Sequence, residues 1–366
     1  MHETTPRRHH GDTDALGARL DFAVNVRASA PGPELLAALT QELHTLGSYP
    51  NAQRNHAAHQ LIANWLSVPA ERTMLTAGAA EGFSLLGALN PTHAFIIHPG
   101  FSEPEDTLAD QQVPLTKVVL PAPYTQNLLH DSLTQAVHTT PTANLSRPLV
   151  IIGNPANPTG CTVDPTTLVD TITRIIPHAI TVIDEAFADV ATTITTALPL
   201  AATRNDVVVL RSLTKTFALA GLRCGILIAD TTLLAPMAAR RPHWPLSSLQ
   251  LAAFEWVAHH HTANDFHHIA TEIATQRDYL INALAPFDIH PATHSHAPYV
   301  LLKLPWDATT ARHIRIAMKQ RGVAIRRCDT FPGLDETWWR LAVRPQDSVD
   351  DFCHQLAACL TQLPAA

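Results

Sequence analysis

Val207-Val208-Val209-Leu210-Arg211-Ser212-Leu213-Thr214-Lys215 runs four aliphatic residues into a polar segment that ends on a lysine. An unbroken apolar run this short reads as a strand buried on both faces, because a sheet with one wet face would alternate apolar and polar residues. Runs of the same kind lie upstream at Ala94 to His98, Val118 to Leu120, Leu149 to Gly153 and Ile180 to Asp184, with longer mixed stretches between them. Buried strands separated by spacers of helical length, from about Thr92 to Leu210, predict a mainly parallel sheet covered by helices. The fold class is therefore α/β.

Away from this core the pattern changes. Leu35, Leu36, Leu39, Leu43 and Leu46 recur at helical spacing after Pro33, and Gly47 stops them. Beyond Pro242 and Pro245 come a helical tract from about Leu249 to Leu284, a strand over Tyr299 to Leu304 and a helix near Thr310 to Arg321. A strand pair follows at Val323 to Arg326 and Arg340 to Arg344. Ser348, with Asp351 three residues later, suits a helix start, after which Phe352, Leu356, Leu360 and Leu363 mark one face. The expected organisation is a mobile tail over residues 1–20, a large domain over 21–245 and a smaller α/β domain over 246–366. Residues 21–32 should pack near the smaller domain.

At 366 residues and 46% hydrophobic, the chain can bury a large core, so it is not a disordered protein. A formal charge of −7 and a pI near 6.3 give no general attraction to nucleic acid or to an anionic membrane. No apolar run approaches the roughly 18 residues that suggest a membrane span. The N-terminus has no apolar signal segment. Cys161, Cys224, Cys328, Cys353 and Cys359 are scattered, with neither a CxxC pair nor zinc spacing, and read as cytosolic thiols. The expectation is a soluble cytoplasmic protein without a metal. The histidine-rich stretch 259–268 reads more simply as a solvated helix end than as a metal site, since no carboxylate or cysteine partner has ligand spacing.

In open α/β sheets ligands bind beyond the carboxyl ends of the strands. Three ends carry chemistry: Asn154-Pro155-Ala156-Asn157-Pro158-Thr159-Gly160, Asp184-Glu185-Ala186-Phe187, and Arg211 to Lys215 with Gly221-Leu222-Arg223 shortly after. An Asn, an Asp, a Lys and an Arg at such ends can converge on one planar anionic cofactor. Pyridoxal phosphate needs this set: a lysine for the Schiff base, a carboxylate to keep the pyridine nitrogen protonated, a donor for the phenolic oxygen, and an Arg, hydroxyls and a helix N-terminus for the phosphate. Taken singly, each has a plain structural reading, such as a surface lysine after a strand or an Asn-Pro turn.

Ser212-Leu213-Thr214-Lys215 with Phe217-Ala218-Leu219-Ala220-Gly221-Leu222-Arg223-Cys224-Gly225, together with Asn157 and Asp184 in order, resembles the fold-type-I pyridoxal-phosphate aminotransferases of class I/II. The resemblance is to the branch holding histidinol-phosphate aminotransferase and threonine-phosphate decarboxylase, and it extends from Asp21 to Leu363. It implies that Lys215 is the Schiff-base lysine and proton carrier, that Asp184 pairs with the pyridinium nitrogen and that Asn157 serves the phenolic oxygen. Gly78, Ala79 and Ala80, in the turn Thr76 to Glu81, would form the phosphate cup with Ser212, Thr214 and Arg223, and Phe101 would stack on the ring. Tyr49 resembles the tyrosine that reaches the neighbouring subunit's phosphate, which implies a homodimer. Trp339-Arg340-Leu341-Ala342-Val343-Arg344 resembles the carboxylate-binding strand, making Arg340 the residue for the substrate α-carboxylate, with Arg326 available for a second acid group.

This chain departs from the family in two places. Phe187 stands where histidinol-phosphate aminotransferases usually carry Tyr, as in the decarboxylase pattern. Asn25 and Arg27 match the N-terminal substrate loop only in part. The roles of Arg27 and Arg344 stay open, although Arg223, Arg326, Arg340 and Arg344 are all expected around small anions. The expected function is transamination of a small acidic or phosphorylated amino acid with a 2-oxo acid. Decarboxylation of the threonine-phosphate type, as in cobalamin biosynthesis, is the alternative, and a non-catalytic binding protein is the third reading.

Overall fold

The computed structural model describes residues 11–362, apart from the side chains of Ala263 and Asn264. Its strands, in chain order, are β1 Leu20–Asp21, β2 Thr73–Thr76, β3 His93–His98, β4 Leu115–Val119, β5 Pro148–Gly153, β6 Ile180–Asp184 and β7 Val207–Ser212. They continue with β8 Gly225–Ala229, β9 His290–Pro291, β10 Tyr299–Lys303, β11 Val323–Ala324, β12 Arg326–Arg327 and β13 Trp338–Ala342.

The central sheet has the order β2-β8-β7-β6-β5-β3-β4. Pairing is parallel from β7 through β6, β5 and β3 to β4, and antiparallel where β8 meets β7 and β2. All five expected apolar runs are strands of this sheet. β2 and β8 escaped sequence reading: β2 has four residues, and β8 begins at Gly225, inside the segment read for its chemistry. Two apolar cores form, one lined by Phe95, Val150, Ile183 and Val209 and the other by Ile96, Ile151, Val182 and Val208, as period-2 side chains require.

A smaller antiparallel sheet, β12-β13-β10-β9, backs a third core with Leu280, Ile314, Leu341 and Phe352. The tract expected over Leu249 to Leu284 is two helices, Ser248–His260 and Ala263–Leu284. The first starts at a capping box on Ser247 and Gln250. Its Leu251, Phe254 and Val257 join the large core, so this helix packs with the large sheet although its residues fall within 246–366. The last helix starts at Gln346, two residues before the expected Ser348, and Leu363 lies outside the described residues.

The reading of residues 1–20 as a tail is corrected for 11–20, while 1–10 lie outside the described residues. Gly11–Ala15 is a short helix and β1 pairs in parallel with β11. The reason is burial: Asp14 is 6% exposed, and the adjoining Phe22 is fully buried in the third core. Phe22 lies in the expected packing region for residues 21–32, and its carbonyl accepts from Ala342 N at 2.9 Å. Among the described residues no helix is long and apolar enough to cross a membrane, and no cluster of His, Cys, Asp and Glu could hold a metal ion. Within the histidine-rich stretch, His260 stacks on Trp256 and His261 packs edge-on to Phe217.

Candidate active site

The parallel strands bring their carboxyl ends to one edge, and a cavity of about 450 Å³ opens there. Register does the aligning. Gly153 pairs with Asp184 and Asp184 with Leu210, and the ladder continues past the strands through Asn154 N to Asp184 O and Glu185 N to Leu210 O, both 2.8 Å. Asn157, Asp184 and Lys215 therefore reach the same cavity although far apart in sequence.

One wall is built for an anion. Gly78 opens the helix Gly78–Leu85 with φ of +80°, a conformation that favours glycine, and a Cβ there would stand 3.0 Å from Arg223 Nη2. Gly225 lets β8 approach this turn, because a Cβ there would lie 2.4 Å from the Gly78 carbonyl carbon. Ala79, Ala80, Ser212, Thr214 and Arg223 line the cavity beside this turn. Thr214 N donates to Ser212 Oγ at 3.2 Å, which fixes the two hydroxyl-bearing residues relative to each other.

Next to this cup the titrating groups are displaced from their ordinary ranges. Burial raises the Asp184 carboxyl to about 6, against the opposing pull of the Ala186 backbone N–H and of Lys215. Burial, then the charges of Arg340 and Arg223, lower the Lys215 ammonium to about 8, with Asp184 and Asp12 opposing. The Lys215 Nζ stands 5.8 Å from the Phe187 ring centroid, an apolar neighbour that deepens its desolvation. Phe101 also lines the cavity.

On the side of the smaller sheet, Arg340 is 4% exposed. Its Nη1 donates to Asn157 Oδ1 at 2.8 Å, its Nη2 donates to the Ala23 carbonyl, and its guanidinium carbon lies 5.5 Å from the Tyr299 ring centroid. Among the described residues it has no carboxylate within ion-pair range. Burial, then the neighbouring Arg326 charge, lower it to about 10. Tyr299 is fixed by its hydroxyl on Ala156 O at 3.1 Å and by edge-on contact with Phe187. Sequence reading missed Tyr299, since a lone aromatic in a strand has no signal to set it apart from core.

The remaining expected residues divide. Asn25 lines the cavity, and its buried Oδ1 has no hydrogen-bond partner among the described residues. Arg326 lines the cavity but already meets Asp14 and Thr330. Arg27 pairs with Glu272 at 3.0 Å. The expectation that Arg344 sits around small anions is corrected: its guanidinium donates to the carbonyls of Asp21, Val24 and Val26, fastening the N-terminal segment. Tyr49 lies outside the cavity, 76% exposed and stacked on Trp244 with centroids 4.5 Å apart.

Behind the site, buried Arg211 joins Glu185 at 3.0 Å and Asp189, tying the strand end after Asp184 to the strand before Lys215. Glu185 also accepts from Thr196 Oγ1 and Ala197 N. Arg211→Met would leave two buried carboxylates without their cation. A loss of roughly 3–5 kcal/mol of stability is expected, measurable by chemical denaturation.

The sequence pattern described as "Aminotransferase class I and II" matches residues 19–356. This chain belongs to that family. A histidinol-phosphate aminotransferase of Mycobacterium tuberculosis is 34% identical over 93% of this chain and 87% of its own length. The threonine-phosphate decarboxylase of Salmonella typhimurium is 30% identical over 95% of this chain and 93% of its own length. Among solved structures, the histidinol-phosphate aminotransferase of Sinorhizobium meliloti in complex with pyridoxal-5′-phosphate superposes with a TM-score of 0.83. It is 20% identical, with 100% of this chain and 99% of that chain covered, and supports the fold.

Pyridoxal phosphate is the cofactor of this aminotransferase, and the donor set fits it. A phosphate suits the cup of Arg223, two hydroxyls and a helix N-terminus. A basic ring nitrogen suits a carboxylate otherwise buried at a cost, and Lys215 is the lone lysine in the cavity wall among the described residues. The reading as a non-catalytic binding protein is set aside by family membership together with this set.

Proposed function

We propose that this enzyme transaminates a small amino acid carrying a second acidic group, foremost a phosphorylated one, with a 2-oxo acid as co-substrate. The observation that carries this reading is Arg340, a buried guanidinium facing the cavity without a carboxylate partner among the described residues. A buried cation of this kind calls for an anionic ligand, and a planar fork suits an α-carboxylate. Asn157 Oδ1 and the Ala23 carbonyl aim that fork. Arg326 in the same wall supports a second acid group, as does threonine phosphate, named for the decarboxylase relative above, which carries both an α-carboxylate and a phosphate.

Bound pyridoxal phosphate supplies the electron sink that stabilises negative charge at the substrate Cα. In this chain Asp184 holds a proton on the ring nitrogen, which its burial beside a cation favours. Asn157, with its Oδ1 engaged by Arg340, keeps its amide donors for the phenolic oxygen. Lys215, lowered to about 8, is partly neutral at mildly alkaline pH and can accept the Cα proton at Nζ and release it again. Ser212, Thr214, Arg223 and the N–H groups of Ala79 and Ala80 would hold the phosphate, and Phe101 in the same wall would face the ring.

A decarboxylase of the threonine-phosphate type is the second reading. Phe187 favours it, because no hydroxyl is offered where the aminotransferase pattern usually has one. We also propose a homodimer in which Tyr49 reaches the partner subunit's phosphate. Support comes from Leu36, Leu43, Leu46, Tyr49 and Trp244, all at least 49% exposed. On the helix Pro33–Glu42 only Leu35 is buried, so the leucine pattern marks a second face.

The test is a substrate screen on holoenzyme with 2-oxoglutarate, comparing threonine phosphate with threonine and, for a phosphate without an α-carboxylate, histidinol phosphate with histidinol. Formation of glutamate with a preference of at least about tenfold in kcat/KM for a phosphorylated substrate is expected. Equal rates for both forms refute the substrate class, and CO₂ release without glutamate favours the second reading.

A further inference from the structure

We propose that Asp14 is a tethered counter-ion that holds the second anion subsite in the free enzyme and is displaced by the distal acidic group of the substrate. The inference rests on the acidic-substrate reading above and adds a residue that sets its specificity. Arg326, itself 4% exposed, stands with Nη1 3.5 Å from Asp14 Oδ2, Nη2 2.8 Å from Thr330 Oγ1, and its guanidinium 4.7 Å from the Phe331 ring centroid. Gly11 and Asp12 of the same short helix line the cavity with Lys215, Arg326 and Arg340, so this helix is part of the wall of the site.

Charge explains the arrangement. The burial of Arg340 is made worse by the neighbouring Arg326 cation, and Asp14 acts favourably on both arginines. A carboxylate as buried as Asp14 likewise needs a cation. In the free enzyme Asp14 therefore supplies the negative charge that a dianionic substrate would bring. An amino acid with only an α-carboxylate can take Arg340 and leave Asp14 in place. One with a distal acid meets an arginine already paired.

The contact is also built to exchange. At 3.5 Å it is at the long limit for a hydrogen bond, whereas the Thr330 contact that orients the guanidinium is short. Gly11–Ala15 has five residues and its neighbours Asp12, Thr13 and Leu16 are exposed. A helix this short has little stability of its own, which favours its release when Asp14 is displaced. The β1–β11 pairing keeps it tethered nearby.

The probe is inorganic phosphate, tested as an inhibitor competing with the amino acid in the full-length holoenzyme. Asp14→Asn, nearly isosteric, is expected to tighten phosphate inhibition roughly tenfold, about the worth of one charged hydrogen bond. For acidic substrates the gain should fall on KM. Arg326→Gln should remove the tightening when combined with it. In the wild type, phosphate should increase hydrogen exchange across residues 11–20. Unchanged or weaker phosphate inhibition in Asp14→Asn, or increased protection of 11–20 with phosphate, overturns the proposal and makes Asp14 an orienting partner of Arg326. Because phosphate replaces the substrate here, the result stands apart from the screen: a failed screen removes the substrate class without deciding the role of Asp14.

Discussion

Lys215→Ala is expected to lower turnover by about 10⁴-fold or more while leaving a folded protein that still takes up pyridoxal phosphate. The loss is large because one amine is assigned both covalent attachment of the cofactor and proton transfer at the substrate Cα, and among the described residues no second lysine lines the cavity. Folding should not suffer. The ammonium is lowered from 10.5 to about 8 chiefly by burial, so in the cofactor-free protein its charged form is a destabilising presence below pH 8. That penalty is relieved as pH rises from about 8 towards 10.5, and alanine removes it at every pH. Borohydride treatment of wild-type holoenzyme should fix the cofactor to the peptide holding Lys215, as seen by mass spectrometry, and fix none in the variant. Lys215→Arg should be equally inactive, because a guanidinium stays protonated across the working range. Activity of either variant within about 100-fold of wild type would contradict the assignment.

The same lysine shows why part of the site was legible in sequence. Residues at the ends of buried parallel strands are brought together by the sheet itself, so Asn157, Asp184 and Lys215 could be found from apolar runs and the polar residues that follow them. The phosphate cup was harder, since Gly78 to Ala80 is an ordinary run of small residues until β8 and Arg223 close on it, and β8 was missed. Arginines were the least legible. Arg344 and Arg340 belong to one sequence pattern four residues apart, yet Arg344 is consumed by three carbonyls of residues 21–26 while Arg340 points into the cavity. Which guanidinium is spent on backbone depends on where a distant segment lies, and no local spacing encodes that. For the same reason the helix Gly11–Ala15 went unseen: five polar and small residues have no periodicity, and the buried Asp14–Arg326 pair and the burial of Phe22 depend on distant parts of the chain.

Asp184→Asn separates function from stability more sharply than any other substitution. In the holoenzyme it removes the carboxylate assigned to the ring nitrogen, and with the electron sink weakened a fall in kcat of roughly 10³-fold is expected, of the size seen when a group that stabilises transition-state charge is lost. The cofactor-free protein should respond in the opposite sense. Burial raises the Asp184 carboxyl from 3.8 to about 6, so the folded state binds that proton more tightly than the unfolded state does. Its contribution to stability is therefore full below about pH 3.8 and is lost as pH rises through 6. Above that range the ionised, buried carboxylate costs about 3 kcal/mol relative to the unfolded chain, at about 1.4 kcal/mol for each tenfold change in proton affinity. Asparagine has nothing to ionise and escapes this cost. At pH 8 the cofactor-free Asp184→Asn protein should melt a few degrees above the cofactor-free wild type, with the gap closing between pH 6 and pH 4. Adding pyridoxal phosphate should reverse the order, because only the wild-type carboxylate gains a cationic partner. Scanning calorimetry of both proteins, with and without cofactor across that pH range, reads all of these at once. A variant less stable than wild type without cofactor at pH 8 would mean that Asp184 serves the fold, whereas the reversal on loading is the signature of a carboxylate held at a cost for the ring nitrogen.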